Sequence, residues 1–130
     1  MYFASARDGG PGQGDIYRAA PIEDGFAPAE TLGPAINSRD GEWNLWVSGD
    51  ESEIIYEASS RSTNVSESGD LYYSWRTPAG WTAPVPIASL NSAGSELVPR
   101  LHPDGDTLYY TTAPLGGHAH IATANWRELR

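Results

Sequence analysis

The chain contains no cysteine among its 130 residues, which excludes a disulfide framework and a thiolate metal centre and makes it indifferent to redox compartment. It has no lysine either: all eight basic residues are arginine, set against 17 acidic ones for a formal net charge of −9. A surface so short of positive charge repels phosphate backbones, so DNA and RNA are not expected partners. No apolar run approaches the roughly 20 residues of a membrane span. The opening Met1-Tyr2-Phe3 lacks the basic start and apolar stretch of a signal peptide.

What the chain does have is aromatic residues, with five Trp and seven Tyr, together with 14 Gly and 10 Pro. This mixture favours short strands joined by tight turns over long helices. The length suits one domain with its own core.

Shifting the sequence on itself by about 54 residues brings several unlike features into register, the signature of a stacked or radial repeat. Gly14-Asp15-Ile16-Tyr17 returns as Gly69-Asp70-Leu71-Tyr72, and Asn37-Ser38 with Glu42 returns as Asn91-Ser92 with Glu96. Ala4-Ser5-Ala6-Arg7 returns as Ala58-Ser59-Ser60-Arg61, and Asp24-Gly25-Phe26-Ala27-Pro28 as Ala79-Gly80-Trp81-Thr82-Ala83-Pro84 with one residue added. A third copy starts at Leu101-His102-Pro103-Asp104-Gly105 and stops before an Asn-Ser segment.

Alternating or compactly apolar runs bounded by Gly, Pro, Asp or Asn read as strands. They fall at 43–48, 54–59, 70–76 and 81–87 in the complete middle copy. The first copy supplies 2–5, 15–19 and 26–32, and the last supplies 97–101, 107–112 and 119–123. The expectation is an all-β fold of about three antiparallel repeats, 1–42, 43–96 and 97–130. The outer two each lack a strand.

The repeat resembles the TolB-like, WD-like β-propeller repeat. An acidic-Gly turn, an apolar Tyr strand, Ser-x-Arg, a Gly-rich loop, Asp-Ile-Tyr, then Gly-Phe, Pro, Leu-Gly and Asn-Ser follow one another here, the last as Gly25-Phe26, Pro28, Leu32-Gly33 and Asn37-Ser38. The resemblance covers nearly the whole chain. It looks in particular like the closing half of a six-bladed member, ending on a weakened repeat and the tail Trp126-Arg127-Glu128-Leu129-Arg130. It implies a partial propeller of four-stranded blades with the end blades incomplete, further blades to complete a ring, and an envelope or extracellular setting.

In such a ring the first strand of each blade lines the channel. Incomplete end blades leave faces and edges unpaired, so a homo-oligomer is expected, with a dimer closing six blades favoured.

Candidate chemistry is sparse. Arg7 precedes Asp15, Arg61 precedes Asp70, and both types vanish together in the third copy, where His120 stands at the Asp position. This suggests an Arg–carboxylate clamp on the loops 9–14 and 62–69. Glu42 and Glu96 precede the expected inner strands and read as wet, structural carboxylates. Two of them at a channel mouth, with His120, are the candidate ligand-binding residues, and the alternative reading is a carbohydrate-directed enzyme working through such carboxylates.

His118 and His120 share a strand face at spacing two and are weak metal candidates, with His102 in a separate turn; two ligands fall short of a zinc site.

Gly9-Gly10-Pro11-Gly12-Gln13-Gly14 leads into a strand without Lys-Ser/Thr, so it reads as a hairpin connection and not a phosphate loop. There is no Gly-x-Ser-x-Gly elbow. Trp43, Trp46, Trp75, Trp81 and Trp126 read as packing between sheets before a sugar platform. Asn64-Val65-Ser66 fits a glycosylation acceptor, relevant only in a eukaryotic secretory setting. No cofactor is implied. The leading expectation is a non-catalytic module binding protein, peptide or glycan.

Overall fold

A computed structural model describes residues 1–130. In chain order, β1 (Tyr2–Ser5), β2 (Asp15–Arg18), the short hairpin β3 (Pro21–Ile22) and β4 (Gly25–Phe26), and β5 (Glu30–Thr31) come first. Strands β1, β2 and β5 form one sheet in that order. A second sheet has β6 (Gly41–Val47), β7 (Glu53–Ser59), β8 (Asp70–Thr77) and β10 (Val85–Pro86) side by side, and β9 (Gly80–Trp81) folds back on β8. The third contains β11 (Ser95–Leu101), β12 (Thr107–Ala113) and β13 (His120–Asn125), followed by a single 3-10 turn, Trp126–Glu128. The chain is thus all-β, with antiparallel sheets and a curled, half-barrel course, and no helix is long and apolar enough to cross a membrane.

The middle sheet is apolar on both faces because it divides two cores. Alternation along β7 sends Ile54, Tyr56 and Ala58 toward Ile16, Ile36 and Tyr72, while Ile55 joins Leu71, Ile87, Leu108 and Trp126 on the opposite side. Each Ile or Leu among them contributes about 1.5–3 kcal/mol on burial. This explains why Ile54-Ile55-Tyr56 reads as an unbroken apolar run.

The sheets succeed one another with the same packing. Strand β11 lies across β6, β7 and β8, and β6 in turn lies across β1 and β2. Each of β6 and β11 carries a bulge at the same point of the repeat, where the register slips around Asn44 and Val98 and both adopt positive φ, 35° and 51°.

The long strands fall within two residues of the sequence expectation, and the outer ones do not. In place of 81–87 there are two-residue strands separated by Thr82-Ala83-Pro84, and in place of 26–32 the pairs β4 and β5 are separated by Ala27-Pro28-Ala29. Proline has no N–H for a ladder, which confines these segments to the edge.

One alignment also shifts. Ser5 lies opposite Asp15 whereas Ala58 lies opposite Asp70, so Phe3, and not Tyr2, takes the place of Tyr56. Ser60, at φ 60°, is the added residue.

Candidate functional site

The junctions between sheets hold most of the polar side chains singled out from the sequence. After β5 the chain turns, and Asn37 lays its side-chain amide against the Ile16 peptide of β2: Ile16 N donates to Oδ1 at 2.8 Å and Nδ2 donates to Ile16 O at 2.9 Å. Asn91 does the same to Leu71 at 2.8 and 3.0 Å. The amide thereby gives the strand N–H its acceptor and adds a second donor to a carbonyl that already accepts from the backbone, Ile16 O from Leu32 N at 3.1 Å and Leu71 O from Ile87 N at 2.9 Å.

The next residue receives the carboxylate. Ser38 donates its N–H to Glu42 Oε2 at 2.9 Å and its hydroxyl to Oε1 at 2.5 Å. Ser92 donates equivalently to Glu96, both bonds at 2.8 Å. Backbone bonds complete each junction, from Glu42 N to Gly14 O at 2.8 Å and from Glu96 N to Gly69 O at 2.9 Å.

Glu42 and Glu96 are therefore buried, at 0% and 1% exposure, a correction to the expectation of wet carboxylates. Neither borders any cleft of the molecule. Their oxygens fasten the start of β6 and β11, and the burial of charge there is offset because each carboxylate oxygen meets at least one donor.

The expected Arg–Asp clamp is rearranged. Arg61 does not reach Asp70; its guanidinium donates to Glu42 Oε1 at 2.8 and 3.2 Å and to the Ile36 carbonyl. It lies over the rings of Tyr56 and Tyr72, 5.6 and 5.2 Å from their centroids. Asp70 is buried and accepts from Val65 N at 2.7 Å and Ser66 N at 3.1 Å. The carboxylate does hold the loop, through backbone amides that an arginine would have to displace.

In the first sheet Arg7 stacks on Phe3 and Tyr17 at 4.8 and 5.0 Å and donates Nε only to Ser5 Oγ, at 3.2 Å. Asp15 is buried, with Gly12 N on Oδ2 at 3.2 Å and Oδ1 without a partner. Burial first, and then the Glu42 charge, hold its carboxyl above the usual range against the lowering effect of the Gly12 amide.

The third sheet has no cation at this place. The Thr112 hydroxyl donates to Glu96 Oε1 at 3.1 Å instead. His120 opens β13 opposite Thr112, its ring nitrogen Nδ1 is 3.1 Å from the His118 carbonyl, and both histidines are exposed. Only His120 lies in the strand, so the shared strand face expected for the pair does not form. No group of three or more His, Asp or Glu side chains is placed to hold a metal. Of the tryptophans, Trp126 is buried edge-on to Tyr73 at 5.5 Å, whereas Trp75 is 42% exposed.

A further polar cluster was not foreseen. Glu51, at φ 58° in the turn between β6 and β7, accepts from Tyr2 Oη at 2.9 Å, from Arg18 at 3.0 and 3.2 Å and from Arg76 at 3.3 Å. The Arg18 hydrogen bonds, then that of Tyr2, hold its carboxyl below the usual range. Beside it a cleft of roughly 340 Å³ opens between the first two sheets, walled by Arg18, Glu30, Leu32, Arg76 and Trp81.

In the sequence Glu51 is one of several acidic residues in Asp50-Glu51-Ser52-Glu53, with nothing to single it out. Arg18 and Arg76 sit at dissimilar places in their copies, so the repeat carries no signal of their meeting. Compared with protein families, with curated proteins and with solved structures, the chain matches none.

Proposed function

We propose that this chain is a non-catalytic assembly or binding module, three successive blades of a TolB-like β-propeller that associates through its end sheets. The observation that supports this reading is the periodic junction: Asn37 on Ile16 and Ser38 on Glu42 recur as Asn91 on Leu71 and Ser92 on Glu96. A junction that repeats with fixed geometry propagates sheets around an arc, each packing only on its neighbours.

The arc has two ends. Strand β1 has no neighbour on one edge, and β13 has none on its outer edge, where Ile121 is 73% exposed. At about 25 cal/mol per Å², burial of such faces drives association, against which the cost of immobilising a partner is set. A twofold axis would apply both end contacts at once.

The buried, fully engaged Glu42 and Glu96 weigh against acid–base chemistry, for which a carboxyl must reach substrate. Light scattering at micromolar concentration tests the reading. The expected mass is twice the 14.0 kDa of one chain; a stable, folded species at 14.0 kDa would reject association, and a mass other than twice that value would reject the six-bladed ring.

A further inference from the structure

We infer that the free edge of β1, with Arg7 and Ser5 beside it, is a docking seat for a segment in which a Ser-x-x-x-Glu bend leads into a strand running antiparallel to β1. The seat rests on the sheet-to-sheet repeat and does not depend on two copies closing a ring.

The molecule contains its own template for the occupied state. In the second sheet β6 pairs with β7 so that Glu42 lies opposite Ala58, and its carboxylate is taken by Arg61, which two tyrosine rings hold in place. In the third sheet Glu96 lies opposite Thr112, whose hydroxyl donates to it. The residue of β1 at this position is Ser5, opposite Asp15 as Ala58 is opposite Asp70.

The first sheet therefore offers both kinds of donor, the Ser5 hydroxyl and the Arg7 guanidinium. Arg7 is held on Phe3 and Tyr17 as Arg61 is held on Tyr56 and Tyr72, yet it makes no ion pair although acidic residues outnumber basic ones 17 to 8.

The backbone agrees. Strand β1 is hydrogen-bonded to β2 on one side only, so its other edge presents unpaired N–H and C=O groups, the feature that β-strand addition uses. Packing agrees as well, since β11 crosses β6, β7 and β8 while β6 crosses β1 and β2 with no third strand beside β1. Main-chain pairing would supply register, and the charge-assisted Arg7–carboxylate bond would choose an acidic residue at one position of the incoming strand.

A fluorescein-labelled peptide with the sequence of residues 35–47 of this chain carries the segment as it occurs in the second sheet. It is expected to bind the full chain in an anisotropy titration and to slow amide exchange across residues 2–6. Arg7→Gln in the chain, or Glu42→Gln in the peptide, should weaken binding about tenfold, with little further loss when the two are combined. Ser5→Ala should weaken it about threefold and keeps the test open if Arg7→Gln does not fold. Absence of binding, equal affinity for Arg7→Gln, or protection at β13 in place of β1 overturns the seat. Peptide binding by a chain that scatters as a monomer would reject the ring while leaving the seat standing.

Discussion

The first and second sheets carry the same seat and differ in what fills it. Arg7 and Arg61 each lie on two aromatic rings, Asp15 and Asp70 each start the third strand position of the repeat, and Tyr17 and Tyr72 follow two residues later. In the second sheet Arg61 is partnered by Glu42, Asp70 by two amides, and the Tyr72 hydroxyl by Thr63 at 2.8 Å and Asn64 at 2.6 Å, while the Tyr56 hydroxyl has no partner. In the first, Arg7 lacks a carboxylate, and Asp15 Oδ1 and the Tyr17 hydroxyl lack partners. The aromatic clamp thus orients the guanidinium without help from the ion pair, and the carboxylate is a separate addition.

The largest expected effect follows from that separation. Arg61→Met leaves the fully buried Glu42 with only its two Ser38 bonds, and should cost about 3 kcal/mol, the usual scale for orphaning a buried charge. Arg7→Met, on an exposed arginine with no carboxylate, should stay within about 0.5 kcal/mol. Denaturant midpoints compared at equal slope measure both. In a double-mutant cycle Arg61 should couple to Glu42 by more than about 1 kcal/mol and to Asp70 by almost nothing; strong coupling to Asp70 would restore the clamp that the sequence suggested.

The loop carboxylates sharpen the comparison next. Asp70→Asn replaces one acceptor by an NH₂ that must face Val65 N or Ser66 N, both within 3.1 Å of the native oxygens, and should cost about 2 kcal/mol. Asp15→Asn gives its unpartnered position to the NH₂, keeps an acceptor for Gly12, and removes a carboxyl that burial already disfavours; less than about 0.5 kcal/mol is expected. Equal losses in thermal or chemical unfolding would show that the glycine loop 9–14 depends on its aspartate as much as the loop 62–69 does.

How far the sequence disclosed this can be traced residue by residue. The repeat placed Asn37, Asn91, Ser38 and Ser92 together with their glutamates because side chain–backbone junctions recur wherever the chain crosses between sheets. It misassigned the partner of Arg61 because Arg and Asp are lost together in the third copy, although they touch different groups. The true partner, Glu42, lies 19 positions upstream across the β6–β7 pair, and Glu96 persists without an arginine, so no joint loss marked the pair. Burial of Glu42 was invisible for a similar reason, since a charge in a sequence does not show how many donors will converge on it. The outer strands were overextended because aromatic and apolar residues around Trp81 and Val85 suit a strand while Pro84 and Pro86 remove the ladder donors.

The bulges extend the comparison to the third sheet. Asn44 and Val98 share the left-handed bulge, and Asn accepts that conformation through its short polar side chain while a β-branched Val does not. Val98 is also 40% exposed, so little packing would be lost on replacing it. Val98→Asn should therefore raise stability by about 1 kcal/mol, read as a higher unfolding midpoint; a lower midpoint would mean that its contacts outweigh the backbone strain.

The smallest expected effect belongs to Glu57, whose place in the first sheet is taken by Ala4: Glu57 lies opposite Leu71 as Ala4 lies opposite Ile16. The side chain is buried and accepts one bond from Asn44 Nδ2 at 2.6 Å. Burial raises its carboxyl above the usual range, and the Asn44 bond only partly opposes this. The sign follows from linkage. A carboxyl raised in the folded state favours folding when protonated, so its contribution is present below the unfolded pKa and is lost as pH rises through the folded value. At neutral pH the ionised group is a cost that Ala4 spares the first sheet. Glu57→Gln keeps an oxygen for Asn44 and removes the charge, so the variant should be more stable than the native chain by about 0.5 kcal/mol at pH 7, with the gap closing below about pH 4. Unfolding midpoints of the two chains at pH 3, 5 and 7 test this: a gap that stays constant with pH would assign the effect to packing, and a variant less stable at pH 7 would show that the ionised carboxylate earns its place by strengthening the Asn44 bond that holds the bulge of β6.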